Sequence, residues 1–270
     1  MTKVEYKHTE IAVKKKLGQN FLTDPNTARK IVAALRAPEG GAVVEIGPGT
    51  GALTGLLLAC FPALTALEID ARAVAYLQAE YPGLDVRQAD VLDVDWAALA
   101  GEKDGRLYVI GNLPYYITSP ILFGLLEHRR HLHEAVLMMQ REVAQRLVAA
   151  PRTKDYGIPS VLTQLYARPE LLFSISRNVF YPKPDVTSAV IRLAFDERAA
   201  PVPDVDPAFL RTVVRAAFNQ RRKTLHNSLS RWTRVYEIEL PHGWGRKRAE
   251  ELPPPAFVEL VRYLQGFPSE

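Results

Sequence analysis

Asn112-Leu113-Pro114-Tyr115-Tyr116 combines residue types suited to holding a flat ring that carries an amine. Asn112 offers a carbonyl acceptor and an amide donor. Pro114 fixes its own φ and biases Leu113 away from helix, which leaves the Leu113 carbonyl free to face a ligand. Tyr115 and Tyr116 supply aromatic faces on which a base can stack. An exocyclic amine held by two carbonyl oxygens beneath an aromatic lid is a pose for modifying the amino group of an adenine. The same run, taken alone, also reads as a strand end followed by a tyrosine-rich turn.

Three further features describe a ligand with a nucleoside and an acidic tail. Gly47-Pro48-Gly49-Thr50-Gly51 lets backbone approach a ligand closely, and the N-terminus of the following helix favours an anionic group. Glu68, after an apolar run, is placed to accept hydrogen bonds from two ribose hydroxyls. Asp90 is placed to accept from an adenine amino group. Gly47, Gly49 and Ala52 also fit the dinucleotide fingerprint, so glycine spacing leaves a nicotinamide cofactor open. Hydride transfer has no evident use for the Asn112 loop. A methyltransferase using S-adenosylmethionine needs an amine-orienting loop facing the methyl group.

Basic residues gather in Lys14-Lys15-Lys16, Arg221-Arg222-Lys223 and Arg246-Lys247-Arg248, a distribution that suits a polyanionic partner. Arg221, Arg222 and Lys223 are expected to contact RNA phosphates, with solvated surface charge as the plain alternative. The segment from Glu127 to Glu134 carries three histidines, but adjacent arginines and the lack of a catalytic use favour a surface turn, so no metal is expected.

These groups need a scaffold that brings strand ends together. Apolar runs at 43–46, 64–69, 84–87, 107–110 and 135–139 read as strands, and periodic stretches between several of them read as helices. Two more strands, 171–179 and 188–195, follow with a short connection. The pattern predicts an α/β, Rossmann-like sheet, mainly parallel with an antiparallel edge strand. Ligands in such sheets bind outside the carboxyl ends of the strands. Residues 151–157 read as a polar loop. Residues 199–203 read as a linker, after which Asp206 and Pro207 open a helix. The expected division is therefore 1–200, with a basic N-terminal arm, and a small all-α domain over 201–270.

With 270 residues, 47% of them apolar, the chain can bury a large core. A single cysteine, Cys60, excludes an intramolecular disulfide and a Cys-based zinc site and fits a reducing interior. The uncharged stretch at 46–67 is broken by glycines and prolines, which argues against a membrane helix. A cytoplasmic protein without a membrane partner is expected.

Several motifs appear in order: Gly18-Gln19-Asn20-Phe21-Leu22, Glu45-Ile46-Gly47-Pro48-Gly49-Thr50-Gly51, Glu68-Ile69-Asp70 and Asn112-Leu113-Pro114-Tyr115. Gln140-Arg141-Glu142, Phe180-Tyr181-Pro182-Lys183-Pro184-Asp185 and Phe218-Asn219-Gln220-Arg221-Arg222-Lys223-Thr224 continue the series. Together they resemble the ribosomal RNA adenine dimethyltransferase family, in particular its bacterial small-subunit branch, from about Lys14 to Leu264. Ala89 departs from the Gly the family favours before Asp90. The resemblance implies a class I methyltransferase that dimethylates N6 of two adjacent adenosines near the 3′ end of 16S RNA, in a small-subunit assembly intermediate, as a monomer. It implies that Asn20, Leu22, Gly47, Glu68, Asp90 and Asn112 line the S-adenosylmethionine site and that Tyr115 and Phe180 sandwich the target base; Asn20, Leu22 and Phe180 enter only in this way. The related large-subunit enzyme and a non-catalytic RNA-binding assembly factor are the alternatives.

Overall fold

The computed structural model describes the backbone of residues 3–6 and 9–12, and residues 20–103, 105–195 and 204–267. The Lys14-Lys15-Lys16 cluster, Gly18-Gln19 and the expected linker at 199–203 lie outside the described residues. Strands β1 (Lys3–Tyr6) and β2 (Thr9–Ala12) form an antiparallel pair. There follow β3 (Phe21–Leu22), α1 (Pro25–Val32), β4 (Val43–Ile46), α2 (Thr54–Cys60), β5 (Thr65–Glu68), α3 (Ala71–Glu80) and β6 (Asp85–Gln88). Next come α4 (Trp96–Glu102), β7 (Leu107–Asn112), α5 (Thr118–Glu127), β8 (Leu132–Gln140), α6 (Arg141–Leu147) and α7 (Ile158–Tyr166). The chain continues with β9 (Arg168–Ile175), β10 (Phe180–Tyr181), β11 (Ser188–Ala194), α8 (Pro207–Asn219), α9 (Leu225–Ser228), α10 (Ser230–Thr233) and α11 (Pro254–Leu264).

A seven-stranded sheet has the order β6-β5-β4-β7-β8-β11-β9. β4 is parallel to β5 and β7, as are β5 to β6 and β7 to β8. The expected antiparallel end is present, with β11 antiparallel to β8 and β9 outermost. Burial explains the order: every residue of β11 is buried, whereas β9 is largely exposed and suits an edge. Strand order reverses at β4, so the ends of β4 and β7 open the crevice in which ligands bind.

Local sequence sets the helix starts. Asp24 accepts from the Thr27 backbone N–H at 2.7 Å while Pro25 opens α1, and Asp70 and Asp95 cap α3 and α4 in the same way. The core beside the site joins Leu22, Ile31, Val43, Leu57, Ile110, Val136 and Phe180 from seven different elements. Burying each such side chain contributes about 1.5–3 kcal/mol.

The chain divides into two compact units, 1–144 with 170–196, and 145–169 with 197–270. This partition differs from the expected one, because 145–169 joins the helical unit from within the first 200 residues. The apolar face of α7 (Val161, Leu162, Leu165) is buried, and the Tyr156 hydroxyl donates to the Leu252 carbonyl at 2.8 Å. Phe218 pairs with Phe257 and Tyr156 at ring separations of 5.8 and 6.0 Å. Residues 151–157 are a loop, tied within this unit by Arg152 N–H to the Glu250 carbonyl at 2.7 Å.

Candidate active site

A cavity of about 250 Å³ opens at the carboxyl ends of β4, β5 and β7. Of the expected site residues it brings together Asn20, Gly47, Gly49, Glu68, Asp90 and Asn112, with Leu113 and Pro114 beside them.

On one wall the turn after β4 passes through Gly49 in the left-handed region, φ +57°, where a Cβ would sit 3.1 Å from the Phe21 ring. The Gly49 N–H donates to Glu68 Oε2 at 3.1 Å, and the Asp70 N–H to Oε1 at 2.8 Å. Glu68 is buried, and burial pushes its carboxyl up while the two N–H donors pull it down. Each oxygen keeps acceptor capacity for a ligand hydroxyl. Asp90 Oδ1 accepts from the Leu92 N–H at 3.0 Å. Ile69 and Leu92, 49% and 46% exposed, add apolar surface to the same wall.

The other wall depends on Gly111, where a Cβ would meet the Ile46 carbonyl at 2.6 Å. Glycine therefore lets β4 and β7 approach and sets Asn112 beside the glycine turn. The Asn112 Nδ2 donates to the Asn20 carbonyl at 2.9 Å. The Leu113 N–H donates to the Met138 carbonyl at 3.0 Å, and the Pro114 carbonyl accepts from the Thr118 hydroxyl at 3.0 Å. Tyr116 lines the cavity and is 56% exposed. Tyr115 is half-buried, its hydroxyl 2.7 Å from Ser188 Oγ, and burial pushes its pKa up.

Leu22, Tyr115 and Phe180 are not on the cavity wall. Leu22 and Phe180 face each other across the β3–β10 pair and lie in the core, 2% and 4% exposed. Phe180 therefore presents almost no ring face to an incoming base. Sequence reasoning missed Ile69 and Leu92, because apolar residues beside strands read as core, and Ser188, which has no chemistry until it meets Tyr115. It also left unused Glu45, buried under the glycine turn with its Oε2 accepting from the Thr54 hydroxyl at 2.7 Å. Burial raises the Glu45 carboxyl to about 8.

In the helical unit Arg221, Arg222 and Lys223 are exposed. Arg221 is engaged, donating from Nε to Glu250 Oε2 at 2.9 Å and from Nη2 to the Thr153 carbonyl at 3.1 Å. A bridge between Thr224 and Arg248 sets the 221–223 and 246–248 clusters side by side. Among the described residues no group of three His, Cys, Asp or Glu side chains could hold a metal ion. No helix among them is long and apolar enough to cross a membrane.

Comparisons with known proteins agree with this geometry. A ribosomal RNA small subunit methyltransferase A from Salinibacter ruber is 57% identical over 94% of this chain and 85% of its own length. One from Prosthecochloris aestuarii is 52% identical over 98% and 100%. A Plasmodium falciparum dimethyladenosine transferase shares the fold, with a TM-score of 0.75, 23% identity and coverage of 91% and 98%. The 23S rRNA methyltransferase ErmE superposes with a TM-score of 0.66 and 26% identity over 91% and 100%. The family model for ribosomal RNA adenine dimethylase matches residues 11–265, and the chain belongs to that family.

Proposed function

We infer that this enzyme transfers methyl groups from S-adenosylmethionine to N6 of two adjacent adenosines near the 3′ end of small-subunit ribosomal RNA, within an assembly intermediate in the cytoplasm. The observation that carries the reading is the meeting of Asn112 and Leu113 with Glu68 and Asp90 around one cavity.

The donor set fits the cofactor. Glu68 would accept from the ribose hydroxyls, Asp90 from the adenine amine, and Ile69 and Leu92 would flank the adenine ring. Among the described residues the cavity wall carries two carboxylates and no lysine or arginine. That charge suits a sulfonium-bearing ligand and gives a dinucleotide pyrophosphate no cationic partner. When bound, S-adenosylmethionine supplies an electrophilic methyl group on sulfur.

The chain's own contribution is orientation. The N6 lone pair of adenine is delocalised into the ring and is a poor nucleophile. Donating both N6 hydrogens to Asn112 Oδ1 and the Leu113 carbonyl turns the lone pair toward the methyl carbon. As the C–N bond forms, the C–S bond breaks, and the aminium proton leaves to water. Tyr115 and Tyr116 follow the amine clamp directly in the chain, and Tyr116 lines the cavity. Stacking on them offsets unstacking of the base by about 1–3 kcal/mol per contact. Phe180 joins them only if its ring leaves the core, so the implied sandwich by Tyr115 and Phe180 rests on the resemblance.

Labelled methyl should appear in small-subunit RNA or particles as dimethyladenosine, located by primer extension. Transfer confined to large-subunit RNA, DNA or protein would overturn the assignment. The small-subunit relatives, up to 57% identical, favour it over the large-subunit enzyme ErmE at 26%. In the RNA contact, Arg222→Ala and Lys223→Ala should each lower the slope of log affinity against log salt by about one. Arg221→Ala should lower stability as well, because its guanidinium ties loop 151–157 to Glu250.

A further inference from the structure

We propose that the backbone carbonyl of Asn20 is a positioning group for the reaction, fixing which end of the Asn112 amide faces the target amine. The proposal rests on the amine-clamp role of Asn112 given above and adds to it the means by which that amide is oriented.

An asparagine side chain has one accepting and one donating end, and rotation by half a turn exchanges them at almost no intrinsic cost. Only the accepting end can receive an N6 hydrogen. In this chain Nδ2 lies 2.9 Å from the Asn20 carbonyl, across 92 residues of sequence. A half-turn would set two carbonyl oxygens against each other at that distance, losing one hydrogen bond and adding a repulsion. Asn112 Oδ1 is therefore held away from Asn20 before any substrate arrives. Catalysis gains from such alignment because it is made in advance of the reaction.

The carbonyl that does this is itself held from behind. Phe21 and Leu22 pair with Tyr181 and Phe180, and the Thr23 N–H donates to the Val179 carbonyl at 2.8 Å, joined by the Thr23 hydroxyl at 3.0 Å. Leu22 and Phe180 are core residues, and the Phe21 ring packs against Gly49. Phe180 thus serves the site through β3. The clamp inherits its geometry from the core through one carbonyl.

Asn112→Asp separates this role from simple presence of an acceptor. An ionised carboxylate keeps an acceptor for the amine but turns a second oxygen on the Asn20 carbonyl. A protonated carboxyl restores the donor toward Asn20 and the acceptor toward N6. Among the described residues Glu68 and Asp90 line the same cavity as Asn112, with Glu45 beneath the glycine turn beside it, and these acidic surroundings favour the protonated form.

Methyl transfer by Asn112→Asp, divided by wild-type transfer under the same conditions, should rise as pH is lowered from about 8 to about 6, approaching tenfold per unit while the carboxyl is mostly ionised. Asn112→Ala should show no such rise. In the RNA-free wild-type protein, one proton of the Asn112 side-chain amide should exchange slowly by NMR, its resonance identified by its loss in Asn112→Asp. A flat activity ratio, or an amide proton exchanging as fast as those of exposed asparagines, would overturn the positioning role and leave the clamp standing. Wild-type transfer by Asn112→Ala would remove the clamp itself.

Discussion

The two walls of the cavity are held in place in different ways. On the cofactor wall partners are close in sequence: Glu68 takes N–H donors from Asp70, two residues on, and Gly49, 19 residues back, and Asp90 from Leu92, two residues on. On the amine wall they are remote: Asn112 is fixed by Asn20 across 92 residues, and Tyr115 by Ser188 across 73. One continuous stretch of chain, from β4 to the turn after β6, therefore carries most of the cofactor wall. The amine wall exists only once β3, β7, β10 and β11 have assembled. Substitutions in those remote strands should damage chemistry while sparing cofactor affinity.

The largest test of that separation is a pair of truncations. Asn112→Ala should lower methyl transfer by about 100-fold or more, the scale of losing one oriented transition-state contact, with a much smaller change in cofactor affinity by calorimetry. Glu68→Ala should do the reverse, weakening cofactor binding by about 10- to 100-fold through lost charge-assisted hydrogen bonds. Equal loss of both properties in Asn112→Ala would show that the walls are one unit.

A second contrast lies within the amine wall. Phe180→Ala should cost about 3–5 kcal/mol in denaturant unfolding, because it opens a cavity opposite Leu22 in the core. Tyr116→Ala should leave unfolding unchanged and weaken RNA binding by about 1–3 kcal/mol, with Tyr116→Phe close to wild type. If Phe180→Ala leaves stability intact and instead weakens RNA binding, its ring belongs to the base sandwich after all.

The same contrast explains what was legible in the sequence. Strands β4, β5 and β7 and the caps at Asp24 and Asp206 follow from apolar runs and local donors. So do Gly47, Glu68 and Asp90, whose partners are near in the chain. Helix α5 is not legible from spacing: with buried Thr118, Ile121, Leu122, Leu125 and Leu126 and no charge before Glu127, it lacks the polar face that reveals a helix. The capture of 145–169 by the helical unit and the Tyr115–Ser188 contact depend on tertiary pairing, which spacing does not encode. For Phe180 the resemblance gave a stacking role, whereas its neighbours make it core.

The smallest expected effect concerns Glu45, the carboxyl buried beneath the turn that joins both walls. Glu68 is held by backbone donors, but among the described residues Glu45 has only the Thr54 hydroxyl as a side-chain partner, and burial raises it from 4.5 to about 8. Folding therefore takes up a proton in this window. A group whose pKa is higher in the folded state gives its full stabilisation below its unfolded value, and that stabilisation is lost as pH rises toward and past the folded one. Wild-type melting temperature should fall relative to Glu45→Gln as pH is raised from about 5 to about 9, with the gap changing most steeply below pH 8 and levelling above it. The glutamine variant keeps a hydrogen-bonding partner for Thr54 without a titratable proton. A constant gap across that range would mean that Glu45 stays ionised in the fold, compensated by a donor beyond Thr54.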